Sequence, residues 1–222
     1  IPVGFDPEIS PLATSMSCGS SPDGELAVWA ISGDSLDLEY FDATAVKENN
    51  PWIRMEAILD NDEVISPLDS VALSSDGTMV LLDSDGKAYS YNWDEEFFVP
   101  MKAAKDKDGK DLALDSVAVG NRGMIFAIDT ETKSLYQHTQ AGWERIEKDD
   151  VTDVAVGVDG TLVVIRPDGY AYEMQGKDVW KKLGERKIAQ IAVGDKKNIW
   201  AVTDDALLVQ YNGAKSDWIT IK

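Results

Sequence analysis

A five-bladed β-propeller of four-stranded antiparallel blades is the all-β fold this sequence predicts, and three observations predict it. The first is self-similarity. "DVAVGVDGTLVVI" (Asp153 to Ile165) matches "QIAVGDKKNIWAV" (Gln190 to Val202), "SVAVGNRGMIFAI" (Ser116 to Ile128) and "SVALSSDGTMVLL" (Ser70 to Leu82), with a more divergent copy in "SMSCGSSPDGELAVWAI" (Ser15 to Ile31). A recurring unit of this kind marks a repeat architecture. The second is spacing: equivalent turn positions lie 53 (24 to 77), 46 (77 to 123), 37 (123 to 160) and 37 (160 to 197) residues apart, a unit of about 37 with insertions in the first two copies. The third is strand character. The apolar runs are short, rich in Val, Ile, Trp and Tyr, and bounded by Gly, Asp and Pro. No convincing window has the period or length of a helix.

Each element of the unit then has a place. The first strand, "VAVG" in its cleanest form, is small and uninterrupted, as an innermost strand near a crowded axis must be. Asp-Gly at 23–24, 76–77, 85–86, 159–160 and 168–169 supplies the positive-φ residues of tight hairpin turns. The second strand is bulky and apolar, which suits a mid-blade strand covered on both faces. The third alternates: "LDLEYF" at Leu36, "KAYSY" at Lys87, "SLYQH" at Ser134, "YAYEM" at Tyr170 and "LLVQY" at Leu207. The fourth carries an aromatic and, three residues on, an aliphatic: Trp52 and Met55, Phe98 and Met101, Trp143 and Ile146, Trp180 and Leu183, Trp218 and Ile221. It is expected outermost, with the aromatic bridging to the next blade. One such sheet cannot bury both faces alone. Radial repetition packs each sheet on its neighbours and leaves only short edges.

The expected organisation is an N-terminal arm over 1–13 and a single propeller domain over 14–222, with repeats at about 14–66, 67–111, 112–150, 151–187 and 188–222. In the arm Ile1, Val3 and Phe5 alternate. It is read either as a segment that closes the ring or as the remnant of a sixth, incomplete blade. The insertions, "AAKDKDGKDLAL" and the stretches around "VKENNP" and "LDNDEVISP", read as surface loops. Because the chain opens on Ile1, removal of a preceding signal, propeptide or tag is expected.

With 222 residues, 44% of them hydrophobic, the chain can bury a substantial core. Its 40 acidic against 21 basic residues, net −19, disfavour phosphate backbones and anionic membranes. No apolar run approaches a membrane span, and no secretory leader pattern is present. Neither a nucleic-acid partner nor membrane insertion is expected. Cys18 is the sole cysteine, which excludes an intrachain disulfide and a multi-cysteine zinc site, and it reads as a small buried residue. His138 is the sole histidine, so any catalytic triad would have to be built on it. No N-glycosylation sequon occurs. No cofactor or metal is expected. "KDKDGKD", with Asp106, Asp108 and Asp111 around Gly109, resembles part of a calcium loop but lacks the full spacing and the distal Glu, and reads as an acidic surface loop.

The fourth-strand aromatics, and Trp29 and Trp200 in second strands, read first as packing residues, because large aromatics dominate core energetics. The stronger ligand candidates are polar–aromatic strand ends: Tyr91-Asn92-Trp93 in copy two and Tyr211-Asn212-Gly213 in copy five. Each sets a ring beside an amide that both donates and accepts, which suits vicinal hydroxyls. The competing reading is a turn with Asn in a left-handed position. The innermost strands read Val-Ala-Val, Ile-Ala-Val and Val-Ala-Leu. They offer almost none of the titratable groups that a propeller hydrolase would converge on its channel, so no catalytic residue is expected.

"QIAVGDKKNIWAVTDDALLVQYNGAKSDWITI" (Gln190 to Ile221) resembles a tectonin-type repeat in its I-A-V-G strand, N-x-W-A-V strand, Y-N-G turn and W-x-x-I strand. Copies three and four resemble it more loosely, and copies one and two in outline. The resemblance to tectonin and tachylectin-type propellers implies a non-enzymatic, multivalent lectin of innate defence or cell-surface recognition. It would be secreted or surface-associated and would bind glycans in pockets between blades. The residues expected here to bind carbohydrate are Tyr91, Asn92, Trp93, Trp200, Tyr211 and Asn212. The alternative is a scaffold that binds a protein partner through the long loops of the first two copies.

Overall fold

The computed structural model describes residues 13–42, 51–106, 108–147 and 150–221. The described residues hold no helix and form five four-stranded antiparallel sheets, each in sequence order. The fold class is the five-bladed β-propeller. The chain divides into two compact units, Ile1–Met101 and Lys102–Lys222.

The first unit holds two blades: β1 (Ala13–Ser20), β2 (Leu26–Ser32), β3 (Leu38–Phe41) and β4 (Trp52–Met55), then β5 (Leu68–Leu73), β6 (Met79–Asp83), β7 (Ala88–Asn92) and β8 (Phe97–Pro100). The second holds three: β9 (Leu114–Gly120), β10 (Met124–Asp129), β11 (Leu135–Thr139) and β12 (Gly142–Glu147); β13 (Asp153–Val156), β14 (Leu162–Ile165), β15 (Ala171–Gly176) and β16 (Val179–Lys182); β17 (Ile188–Asp195), β18 (Asn198–Thr203), β19 (Leu208–Asn212) and β20 (Asp217–Thr220). The second strands behave as mid-blade strands. Every residue of β6 and β14 is buried. The Asp-Gly turns behave as expected too: Gly24, Gly77, Gly86, Gly160 and Gly169 all have φ between 76° and 86°.

The glycine of the inner-strand motif has a steric cause. A Cβ on Gly120 would stand 2.9 Å from the carbonyl oxygen of Gly157, and one on Gly157 would stand 2.9 Å from that of Gly194. Gly19 approaches the carbonyl oxygen of Ser74 more closely still. Neighbouring inner strands meet backbone to backbone at this point. The junction is sealed by hydrogen bonds: Ser20 N–H to Ser74 O at 3.0 Å and Val158 N–H to Gly194 O at 2.8 Å.

A second joint links blade one to two, blade three to four and blade four to five at the opposite end of the strands. The turn between second and third strands places one residue at positive φ: Leu36 (56°), Gly86 (76°), Lys133 (50°), Gly169 (77°) and Ala206 (60°). In three of these turns, at Leu36, Lys133 and Gly169, its carbonyl faces the start of the following inner strand. Leu68 N–H donates to Leu36 O at 3.1 Å, Val151 N–H to Lys133 O at 2.8 Å and Ile188 N–H to Gly169 O at 2.8 Å. The donors are themselves buried aliphatics, so these carbonyls satisfy N–H groups that have no access to water.

Four expectations need correction. Cys18 is exposed, not buried. Ser15 and Ser17 turn toward β5, where their hydroxyls accept from Val71 and Leu73 N–H at 3.2 and 2.9 Å, so the period of two sends Cys18 to the other face. The fourth-strand aromatic bridges to the preceding blade: Trp218 Nε1–H donates to Leu183 O at 2.6 Å. The insertion at "LDNDEVISP" is not a plain surface loop. Ile58 bridges Val64, Leu59 bridges Phe98 in parallel, and Phe98 N–H donates to Ile58 O at 2.7 Å, so the segment lies along β8 with Ala57 and Ile65 buried. Finally, the left-handed residue of the third-to-fourth-strand turn is Glu96 (56°) or Ser216 (52°), not the Asn. The arm over 1–12, "VKENN" and Lys107 lie outside the described residues.

Candidate carbohydrate-binding site

Tyr91, Asn92 and Trp93 stand at the end of β7. The Tyr91 ring lies 4.8 Å from Phe98, 5.0 Å from Trp93 in an edge-on contact, and 6.5 Å from Trp29 on the neighbouring blade. Trp93 Nε1–H donates to Gly77 O at 2.6 Å. Burial, and the Glu96 carboxylate after it, push the Tyr91 hydroxyl above its usual range. Asn92 caps the following turn, its Oδ1 accepting from Asp94 N–H at 3.1 Å. All three residues remain half-exposed.

The copy-five counterparts divide between two faces of one sheet. Tyr211 pairs with Trp218 across strands, with ring centroids 5.3 Å apart, and both are buried against blade four residues Val163 and Leu183. Trp200 pairs with Gln210 and Ala192 and therefore faces the other way. It occupies the position of Trp29, but it is half-exposed where Trp29 is buried. Asn212 caps its turn as Asn92 does, accepting from Lys215 N–H at 3.1 Å. The structure thus groups Tyr91, Asn92 and Trp93 in one unit, and sets Trp200 on the opposite side of blade five from Tyr211.

Other residues the sequence singled out are engaged locally. Asp106 Oδ1 accepts from Lys110 and Asp108 N–H at 2.9 and 2.8 Å, which holds its carboxyl below the usual range, and Asp111 pairs with Lys105 at 2.5 Å. His138 lies edge-on to Trp143 at 5.1 Å, and burial lowers its pKa. Among the described residues no group of three or more His, Cys, Asp or Glu is placed to hold a metal ion.

Two features escaped sequence reasoning. Asp153, on the inner strand β13, is mostly buried between blades four and five. Burial pushes its carboxyl up to about 6, although it accepts N–H bonds from Ile191 at 3.0 Å and Val154 at 2.8 Å. It stands where other copies carry Ser70, Ser116 and Gln190, and that departure was its signal. The second is a cleft of about 560 Å³ beside blade five, lined by Arg186 and Lys187 before β17, Thr203, Asp204, Asp205 and Leu207 in the β18–β19 turn, and Thr220 on β20. Arg186 Nη1–H donates to Thr220 Oγ1 at 3.0 Å, which fixes the guanidinium. Thr203 Oγ1–H donates to Asp205 Oδ1 at 2.5 Å. Hydroxyls, carboxylates and fixed cations share one cavity of the size that holds a small ligand.

Residues 113–220 match the model of the Tectonin domain. The match is consistent with a tectonin-type β-propeller family. The match spans the three blades of the second unit. Among curated proteins none matches the chain. Solved structures give the fold at low identity. A chain of a nidogen/laminin complex is 11% identical with TM-score 0.67, covering 94% of this chain and 79% of its own. A protein assigned as a gluconolactonase is 11% identical with TM-score 0.64, covering 96% and 79%. YCF48, solved with a D1 peptide, is 12% identical with TM-score 0.59, covering 94% of this chain and 66% of its own. The chain spans only 26% of the next, an extracellular domain of a two-component system of B. thetaiotaomicron, at 13% identity and TM-score 0.56.

Proposed function

We propose that this chain is a non-catalytic glycan-recognition protein that binds surface glycoconjugates at more than one place on its blades. The observation that carries this reading is the Tectonin match over 113–220, because the resemblance implies a lectin. The blade-five cleft supports it. Asp204, Asp205 and Thr220 offer the carboxylate and hydroxyl partners that sugar hydroxyls require. Strand-end contacts at Tyr91, Asn92, Trp93, Trp200, Tyr211 and Asn212 would add aromatic and amide surface. Several weak sites on a rigid scaffold gain avidity on a glycan-coated surface. A glycan array, followed by titration with simple and O-methylated sugars, tests the reading. Binding to at least one glycan class is expected, weakened by Trp200→Ala or Asp204→Ala. A blank array refutes it, and so does turnover of an ester or sugar that is lost on chelation.

One observation favours a second reading, a scaffold for a protein partner. The copy-one insertion is a built element bridged to β8, and Val64 at its edge is 50% exposed. A stoichiometric partner recovered with the intact chain and lost on deleting 59–63, together with a blank array, selects this reading over the lectin.

A further inference from the structure

The cleft beside blade five contains features that the repeat does not require. Inner strands open on, or just after, a buried aliphatic: Leu68, Leu114, Val151 and Ile188. The residues before it are Ser66-Pro67 in copy two and Leu112-Ala113 in copy three, and Asp150 precedes Val151 in copy four. Copy five has Arg186-Lys187. In the β18–β19 turn, Asp205 recurs as Asp34, Asp85, Glu131 and Asp168, so it belongs to the turn. Asp204 does not: its counterparts are Gly33, Ser84, Thr130 and Pro167. The scaffold is built four times without Arg186, Lys187 and Asp204, and those three line the cavity.

Their surroundings pre-position the cations. Arg186 is half-buried and tied to Thr220. Lys187 Nζ donates to the Asp168 carbonyl and lies 3.9 Å from the centroid of the Tyr170 ring, and Lys182 Nζ lies 3.4 Å from the same centroid. Glu185 answers Lys182 at 2.6 Å, but the bond to Thr220 uses only one of the five N–H donors of Arg186. A chain of net charge −19 repels a polyanion as a whole. A single carboxylate in the cleft instead feels its immediate neighbours, because screening cuts off charges beyond about 8 Å at physiological ionic strength.

We infer that this cleft takes a sugar acid, its carboxylate held by Arg186 and Lys187 and its ring hydroxyls by Asp204 and Asp205. The inference rests on the glycan-binding reading and narrows it to one charged class at one site. A guanidinium held on one side presents a planar pair of donors to a carboxylate. The acidic rim accepts from hydroxyls and discourages anions that carry none.

Calorimetric titration of the full chain with methyl glucuronide, methyl glucoside and acetate tests it. The glucuronide is expected to bind at least tenfold tighter than the glucoside, and acetate more weakly than either. Arg186→Gln should bring the two sugars within about twofold of each other. Lys187→Gln, whose side chain is exposed, provides the same readout if Arg186→Gln unfolds. Asp204→Asn should weaken both sugars alike. Equal affinity for glucuronide and glucoside overturns the inference and leaves the glycan reading standing. Acetate binding as tight as glucuronide overturns it as well, since the cleft would then be a bare anion site. If neither sugar binds while the array finds a neutral glycan, the inference alone fails. A blank array removes both.

Discussion

Acidification should strengthen the joint between blades four and five, and Asp153 sets how much. Its carboxylate lies mostly buried, with burial as the dominant cause of a pKa raised from 3.8 to about 6. The two N–H donors, Ile191 and Val154, act in the opposite sense and keep the shift from being larger. A group whose folded pKa is raised binds its proton more tightly in the folded state. Its stabilisation is therefore fully present below about pH 3.8 and lost as pH rises through about 6. A shift of about two units corresponds to roughly 3 kcal/mol at 1.36 kcal/mol per unit, of which about 2 kcal/mol is present by pH 4. The chain carries 40 acidic residues, so its raw stability curve mixes many titrations. The measurement is therefore a difference. Urea unfolding followed by tryptophan fluorescence is run on the native chain and on Asp153→Asn from pH 7 to pH 4. The native chain should gain about 2 kcal/mol on the variant across that range. The Asp153 carboxyl carbon, followed by NMR, should titrate near pH 6. Parallel stability curves, or a midpoint at the ordinary aspartate value, would refute the reasoning.

Three further outcomes are expected. Gly157→Ala puts a Cβ 2.9 Å from Gly194 O and 3.0 Å from Asp195 Cα, both backbone atoms; it should cost about 1–3 kcal/mol in urea unfolding, whereas Gly176→Ala, with nothing within 4 Å, should be close to neutral. Ala206→Gly relieves a non-glycine residue at φ 60° and should stabilise by up to about 1 kcal/mol by thermal melting, after the extra chain entropy of glycine is subtracted. Trp218→Phe keeps the ring against Tyr211 but leaves Leu183 O without its indole donor. It should cost about 1–2 kcal/mol in the same melt, and Trp218→Ala clearly more.

The scaffold was legible because it is written several times. Asp-Gly turns, small inner strands and bulky second strands recur at the same offsets, so an ambiguous copy is read through the clear ones. Where a joint uses unremarkable residues, the sequence is silent. Leu36 and Lys133 hold the positive-φ place that Gly169 fills in blade four, and nothing in their identity announces a carbonyl turned toward the next blade. Cys18 misleads for a related reason: small neighbours suggest burial, but which face is covered depends on Ser15 and Ser17 reaching β5. The direction of the Trp218 bridge is likewise a matter of three-dimensional order, since a period read along the chain has no sense of before and after.

Redundancy also explains why the candidate site is harder to read than the fold. A residue kept at one repeat position serves whatever the blades share. Tyr91 and Tyr211 recur together, and each ring packs on the aromatic of its own fourth strand, Phe98 or Trp218. Asn92 and Asn212 recur together, and each caps a turn. Recurrence therefore weighs these four toward the scaffold, even where an edge or amide stays within reach of a ligand. A position at which one copy departs from the others has no scaffold duty to explain it. Trp200 is half-exposed where Trp29 is covered, and Arg186, Lys187 and Asp204 line the blade-five cleft. In a degenerate propeller the departures, not the matches, are where recognition chemistry should be sought, and the cleft beside blade five holds three of them.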